Sequence, residues 1–479
     1  MEEAKHFIGS EWSSSTGNET IDVIDPSDGQ PFTRLARGTA ADIDRAVRAA
    51  RRAYEGAWGA ASAAERGRVL YRLSMLVTAC HEELAKLEAQ DTGKPLRQAR
   101  ADASALSRYF EFYAGAADKL HGETLPYQPG YTVFTIREPH GVTGHIVPWN
   151  YPMQIFGRSV GAALAAGNAC VVKPAEDACL TVLRVAELAA EAGLPAGALN
   201  VVTGYGHEAG AALARHPGID HISFTGSPET GKLVTQMAAE NHVPVTLELG
   251  GKSPQIVFAD ADLEAALPVL VSAIVQNAGQ TCSAGSRVLI DRTIYEPLLE
   301  RLGAAFRALR VGPSTADLDC GPLISAKQQQ RVWDFLSDAQ HDGVAMAAHG
   351  EVIVDAPETG FYQAPTLLRD VPPTHRLARE EVFGPVLAAM PFNDEDEAVA
   401  LANGTPYGLV AGIWTRDGGR QLRLARRVRS GQVFINNYGA GGGVELPFGG
   451  VRHSGHGREK GFEALYGFTV LKTVAIRHG

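Results

Sequence analysis

The sequence predicts an α/β protein made of two doubly wound units and a small separate β arm. Three observations carry that expectation. Between about residues 140 and 250, short β-branched runs ("GHIVPWN", "ACVVKP", "LNVVTG", "HISFTG", "VTLELG") alternate with Ala/Leu/Glu-rich helical stretches. Strand–helix alternation of this kind builds a parallel sheet with helices on both faces and a ligand crevice at the strands' C-terminal ends. After Gly250 the alternation resumes through "SPQIVFA", "SRVLIDR" and "GQVFINN". Two stretches, 123–141 and 467–478, read as extended pieces with no partner nearby in sequence. Such strands often pair across subunits, so they are expected to form an oligomerisation arm.

The elements follow in order. The first third reads helical. "TAADIDRAVRAARRAYEGAW" opens on Thr39 as N-cap with Asp42 three residues on, and Ile43, Ala46, Val47, Ala50, Tyr54 and Ala57 recur at helical spacing. Further helices are expected over about 62–90 and 96–120. "PMQIFGRSVGAALAAG" reads as one helix with Pro152 in its first turn. That places Ser159 of "GRSVG" in mid-helix, whereas a nucleophile elbow needs a strand before it and a helix after it. Two glycine turns compete for a phosphate. "GYGHEA" (204–209) fits a dinucleotide pattern that is weak alone. "FTGSPETGK" (224–232) brings Gly226 and Ser227 straight off a strand, with Pro228 in the next helical turn, and is preferred.

Composition excludes several classes. At 479 residues the chain suits about three domains. A net charge of −10 argues against a nucleic-acid surface, and "RLARRVR" (423–429) reads as a solvated helix face. The N-terminus has no apolar signal core, and the apolar window 265–275 is too short for a bilayer. Five cysteines without a CxxC fit a reducing cytoplasm rather than a disulfide framework or a zinc ribbon. His453 and His456 stand without cysteines or carboxylates at ligand spacing, so no metal is expected.

Chemistry-bearing residues gather at strand ends. "VPWNYP" leaves the Asn150 amide free to donate to a developing oxyanion. "VVKPAED" puts Lys173 and Glu176 in one turn, where a carboxylate could accept from ribose hydroxyls. "LELGGKSP" places Glu248, a candidate general base, before two glycines. "GQTCSAG" seats Cys282 in a polar, glycine-flanked segment, where a thiolate could have access and stabilising dipoles. Cys170 and Cys80, by contrast, read as buried filler. Taken singly, Asn150, Lys173 and Glu248 read more readily as a turn, a solvated tip or a surface residue than as functional groups, whereas Cys282 on its polar segment does not.

In their order, Asn…Lys-Pro-x-Glu…Phe-Thr-Gly-Ser…Glu-Leu-Gly-Gly…Gly-Gln-x-Cys, the motifs resemble the aldehyde dehydrogenase superfamily. The resemblance covers nearly the whole chain, continuing through "EEVFGPV", "PYGLVAGIWT" and "PFGGVRHSGHGRE". The 34-residue interval from Glu248 to Cys282 matches the family. The resemblance implies an aldehyde dehydrogenase-like fold: a Rossmann-like cofactor domain over 1–118 and 142–250, a catalytic domain over 251–450, and an oligomerisation arm and C-terminal strand over 119–141 and 451–479. It also implies residue roles. Cys282 would be the nucleophile, Glu248 the base, and Asn150 with the Cys282 N–H the oxyanion hole. Lys173 and Glu176 would hold the adenosine ribose, Gly226 and Ser227 would face the pyrophosphate, and Glu381 would hold the nicotinamide ribose. Phe383 would pack beside the nicotinamide ring, and Trp149 would line the crevice. A thiohemiacetal would pass hydride to NAD and leave a thioester for hydrolysis. Glu176 favours NAD, with NADP as the weaker alternative, and Glu248 argues against a CoA-acylating member.

By the same analogy Tyr151, Ile155, Arg158, Thr281, Ser283 and Phe448 wall the substrate tunnel. Succinate-semialdehyde dehydrogenases carry an arginine matching Arg158 that binds the substrate's distal carboxylate. Here Gln276 replaces their second arginine and Gly442 their serine, and the loop "GAGGG" (439–443) would leave the mouth open. The expectation is an aldehyde with a polar, acidic or aromatic tail, a semialdehyde among them. In the competing reading Arg158 pairs with a nearby carboxylate and never meets substrate. A small-molecule aldehyde is thus the expected partner of a cytoplasmic homodimer or homotetramer, with no nucleic acid or membrane. Two other classes stay open: a thiol hydrolase or acyltransferase, which would need a histidine beside Cys282, and an inactive structural member of the crystallin kind.

Overall fold

The computed structural model describes residues 3–439 and 443–479; Gly442, and with it the centre of the glycine loop, lies outside the described residues. Two large sheets organise the chain. The first has eight strands in the order Gly455–His456, Val245–Glu248, His221–Thr225, Val142–Val147, Ala169–Pro174, Leu199–Val201, His6–Ile8 and Glu11–Ser13. Its five central strands are parallel and its outer pairings antiparallel. Ala169–Pro174 and His221–Thr225 are buried at every position, because helices cover both faces. The second sheet has seven strands, in the order Met346–His349, Thr366–Leu368, Val386–Phe392, Arg287–Asp291, Pro254–Val257, Val410–Trp414 and Gln432–Ile435. All its pairings are parallel except that of Met346–His349 at the edge.

Helix signals act where the sequence puts them. Thr39 caps Ala40–Glu55, with its N–H donating to Asp42 at 2.9 Å. Pro152 opens Pro152–Ala166 and Gly167 closes it in the left-handed region. The helix expected over about 62–90 is two, Ala63–Ala79 and His81–Thr92, with Cys80 at the joint. Cys80 is therefore half-buried at a helix junction and not packed filler, whereas Cys170 is fully buried.

Two expectations are corrected. Residues 3–36, taken as part of a helical first third, form five short strands before the first helix. Three of them, Glu3–Ala4, Thr20–Asp25 and Gln30–Ala36, make a separate small sheet. The extended pieces do not lack partners within the chain. Thr469–Arg477 pairs antiparallel with Tyr131–Pro139 along its full length, from Thr469 opposite Pro139 to Arg477 opposite Tyr131, and Thr124–Leu125 completes a three-stranded arm. Proximity in sequence is a poor guide to strand pairing when the partners lie near opposite ends of the chain. The 451–479 stretch is also divided, since Gly455–His456 joins the first sheet.

Candidate active site

The parallel order sends the chain out of each strand at the same edge, and the candidate side chains follow. Asn150 comes after Val142–Val147, Glu176 after Ala169–Pro174, and Gly226 after His221–Thr225. Glu248 is the last residue of its own strand. Cys282 arrives from the other sheet, on the segment joining helix Leu263–Val275 to strand Arg287–Asp291.

That segment is held in an uncommon shape. Asn277, Ala278 and Gly279 all have positive φ (50°, 52° and 72°). For the two non-glycine residues this costs on the order of 1–3 kcal/mol each, and it persists only where the surroundings impose it. They do so here. The Asn277 side chain donates to the Asn150 carbonyl at 2.9 Å, its N–H donates to Gln98 Oε1 at 2.9 Å, and the Ile324 N–H donates to Gln280 Oε1 at 2.9 Å. Asn150 Nδ2 donates to the Gln280 carbonyl at 2.9 Å, which places the amide against the cysteine loop. The glycines after Glu248 make room. A Cβ on Gly251 would sit 2.6 Å from the Cys282 carbonyl oxygen, and one on Gly250 2.1 Å from Glu381 Oε2.

Cys282 is half-buried and lines two cavities. The first is tight, about 90 Å³, and all six residues expected for the substrate tunnel line it: Tyr151, Ile155, Arg158, Thr281, Ser283 and Phe448. It adjoins an outer cleft of about 820 Å³ through Gln154, Ser272, Gln276 and Gly439. The second cavity, about 440 Å³, is lined by Trp149, Gly226, Ser227, Glu381 and Phe383. Asn150 reaches both.

The second cavity suits a dinucleotide. Ser227 caps helix Pro228–Ala239, its Oγ accepting from the Thr230 N–H at 3.2 Å, so the helix's positive end faces the cleft. Glu381 is pinned by the Gly251 N–H at 2.9 Å. Trp149 and Phe383 meet edge to face with centroids 5.4 Å apart, and Phe383 holds a φ of 61°. Lys173 and Glu176 form an ion pair at 2.7 Å beside Asp177, which lines the cleft itself and was not foreseen. The alternative turn at Gly204–Gly206 does not line it.

Electrostatics depart from the expectation for the thiol. Burial pushes the Cys282 thiol up to about 12; Arg158 opposes the shift, while Glu381 and Glu248 add to it. Cys170 is raised to a similar value by burial alone, so acidity does not single out Cys282; access does. Glu248 is raised well above the ordinary carboxyl range, first by burial and then by Glu459. Neither of its oxygens has a hydrogen-bond partner, and it lines neither cavity. An orphaned buried carboxyl is costly in its charged form, and these surroundings favour the neutral one.

Arg158 lines the tight cavity but carries its own counter-ion, a close ion pair from Nε to Glu459. Glu459 also accepts from Ser223 at 2.6 Å, and Ser223 from Ser159 at 3.0 Å. Ser159 is in mid-helix as expected, yet it has a histidine partner, His145, at 2.5 Å. Both are buried and line neither cavity at Cys282, so the pair has no route to substrate from that side. Among the described residues no histidine lines either cavity at Cys282.

Sequence reasoning also missed Lys94, Tyr438 and Lys460. Lys94 is buried and donates to Glu88, Asp102 and the Asn150 carbonyl (3.0 Å). Tyr438 donates to the Ser283 carbonyl at 2.5 Å. Nothing local marks the contacts of Lys94 with Asn150 and of Tyr438 with Ser283, since each joins residues remote in the chain.

The aldehyde dehydrogenase family model matches residues 12–474. The chain belongs to the aldehyde dehydrogenase family. Curated relatives of this aldehyde dehydrogenase include a hydroxyisobutyraldehyde dehydrogenase from Mycolicibacterium austroafricanum, 43% identical over 98% of this chain and 93% of that protein. Another is the NADP/NAD-dependent aldehyde dehydrogenase PuuC of Escherichia coli, 43% identical over 99% of this chain and 96% of that one. Among solved structures, one from Burkholderia cenocepacia is 86% identical with a TM-score of 0.99, covering 99% of this chain and all of the other. PnpE, solved with nicotinamide adenine dinucleotide, is 41% identical with a TM-score of 0.97, covering 99% of this chain and 98% of that chain. As a member of this family the protein is an enzyme that oxidises aldehydes, and both the α/β architecture and the recognition of the family hold.

Proposed function

We propose that this aldehyde dehydrogenase oxidises its substrate to a carboxylic acid through Cys282, with NAD as acceptor. The observation that carries the reading is the position of Cys282, on the wall shared by the tight cavity and the dinucleotide-shaped cleft. The aldehyde enters the first, and Gly226, Ser227, Glu381, Phe383 and Trp149 hold the cofactor in the second. Lys173 and Glu176 hold its adenosine ribose, and Glu176 favours NAD over NADP because a carboxylate repels a 2′-phosphate. The NAD complex of PnpE supports NAD as acceptor, and the NADP/NAD dependence of PuuC keeps NADP as the weaker alternative.

The chain's own residues act as follows. The Cys282 sulfur, once deprotonated, adds to the carbonyl carbon, and the carbonyl π pair moves to oxygen. The Asn150 amide and the Cys282 N–H donate to that oxygen. NAD, when bound, supplies the hydride acceptor that converts the adduct to a thioester. Glu248 then removes a proton from water, whose oxygen forms the new carbon–oxygen bond as the carbon–sulfur bond breaks and the thiolate leaves. Glu248 must turn from its orphaned position toward the thioester for this step.

The first sheet with its helices (1–118 and 142–250) serves the cofactor, the second (251–450) serves catalysis, and the arm (119–141 and 451–479) joins copies into a homodimer or homotetramer. A cytoplasmic site is supported by five free cysteines, and among the described residues no helix is long and apolar enough to cross a membrane. For substrate, the wide outer cleft supports an aldehyde with a polar or bulky tail, and the Arg158–Glu459 pair favours a structural duty for Arg158.

The test is Cys282→Ala. Aldehyde-dependent NAD reduction is expected to vanish while NAD binding persists; reduction at the unmodified rate would overturn the reading.

A further inference from the structure

The cofactor cleft carries more negative than positive side chains. Among the described residues, Asp177, Glu229 and Glu381 line it against two cations, Lys327 and Arg331. A dinucleotide adds two negative charges on its pyrophosphate. The helix end at Ser227 offsets about half of one such charge, so most of the balance falls to a side chain.

The two cations are used differently. The Arg331 guanidinium donates to the Glu381 carbonyl at 2.6 Å and to the Val382 carbonyl at 3.2 Å. It therefore braces the loop that carries Glu381 and Phe383. Lys327 is exposed, in the first turn of helix Ala326–His341, where Ser325 Oγ accepts from the Gln328 N–H at 3.3 Å. Gln328 beside it donates to the Phe383 carbonyl at 2.7 Å, which fixes the start of this helix against the cofactor loop. Val332, Phe335 and Ala339 of the same helix pack in the core of the second sheet. Lys327 thus enters the cleft from the second sheet, whereas Gly226, Ser227 and Asp177 enter it from the first. Asp177 feels the Lys327 charge across the cleft.

We infer that Lys327 grips the cofactor's pyrophosphate, closing from the second sheet the site that Gly226 and Ser227 form on the first. This deepens the reading of the cleft as the dinucleotide site and rests on it. In the empty cleft Lys327 faces the single charge of Asp177. An arriving pyrophosphate offers it two charges, and a lysine binds phosphate as a point charge on a flexible stem, so it reaches the ligand while its helix stays in place. The contact also joins the two sheets through the cofactor itself.

The experiment is titration calorimetry of the unmodified enzyme, Lys327→Met and Lys327→Arg with NAD and with ADP-ribose, which keeps the pyrophosphate and lacks nicotinamide. Lys327→Met is expected to weaken both ligands about tenfold, the size of one charge-assisted contact. Lys327→Arg should restore most of the affinity. Raising salt from about 20 to 200 mM should weaken NAD binding less in Lys327→Met than in the unmodified enzyme, because one screened attraction is gone. An unchanged Kd for NAD in Lys327→Met overturns the inference. So does a loss for NAD that ADP-ribose does not share, since the contact would then lie at the nicotinamide end, and so does a loss with an unaltered salt dependence. In each of these cases the cleft remains the cofactor site, as long as the unmodified enzyme binds both ligands. Were it to bind neither, the cofactor reading would fall as well.

Discussion

The side-chain amide of Asn150 donates to the carbonyl oxygen of Gln280 at 2.9 Å, two residues before Cys282. One hydrogen bond thus ties the loop after a strand of the first sheet to the loop that carries the thiol from the second. On the other side of the same residue, the Asn150 carbonyl is held by Lys94 at 3.0 Å and Asn277 at 2.9 Å. The proposed oxyanion donor is therefore placed by three partners and arrives with little freedom left to lose.

Asn150→Ala is expected to lower kcat by about 10²–10³, the usual effect of deleting one oxyanion donor. Steady-state kinetics on a saturating aldehyde measures it. A variant within twofold of the unmodified kcat would mean that another group holds the alkoxide.

Arg158→Ala leaves Glu459 charged, buried and without its cation. Breaking a buried pair from one side costs roughly 3–5 kcal/mol, so a large drop in Tm is expected, along with reduced turnover of acidic and neutral aldehydes alike. The double variant Arg158→Met with Glu459→Gln should recover most of the stability. A thermal melt of the three proteins decides the matter, and an unchanged Tm in the single variant would contradict the pairing.

The pH dependence follows from two raised groups. The Cys282 thiol is pushed up to about 12 and the Glu248 carboxyl well above its ordinary value, both first by burial. In the proposed mechanism each acts only after losing its proton; the thiol is mostly idle at neutral pH and the carboxyl is shifted in the same direction, so activity is expected to rise with pH. Iodoacetamide labelling of Cys282 in the cofactor-free protein should climb about tenfold per pH unit through neutrality, as expected below a thiol's pKa. Cys170, raised similarly but fully buried, should stay unlabelled. A labelling plateau near pH 7 would show a thiolate already formed.

Gly250→Ala would bring a Cβ within 2.1 Å of Glu381 Oε2, and the carboxylate must move. Glu381 lines the cofactor cleft, so NAD affinity is expected to fall about tenfold, the loss of one well-placed polar contact. The fold should change little, because the atom displaced is the end of a side chain. Titration calorimetry with NAD measures the effect, and an unaltered Kd would remove Glu381 from the cofactor site.

Much of the site was readable because of one topological fact. Parallel strands all exit at the same edge, so residues just past "GHIVP", "ACVVKP" and "HISFT" had to assemble there once the strands were recognised. The rival turn at Gly204 also follows a parallel strand, so what favoured Gly226 and Ser227 was the helix start at Pro228. The first 36 residues were misjudged because their strands are two to seven residues long and too short for periodicity to show.

By itself, the sequence determined the layered architecture, the order of the loops at the strand ends and the thiol proposed for the chemistry, because these depend on local periodicity and on what lies at the end of each strand. The tertiary structure alone decided that Tyr131–Pro139 and Thr469–Arg477 are mutual partners, that Glu459 neutralises Arg158, and that Lys460 reaches the cavity. Each of these joins residues far apart along the chain. An ion pair or a strand pairing across that separation leaves no pattern in either segment, since its energy depends on burial and distance that exist only after the sheets have packed.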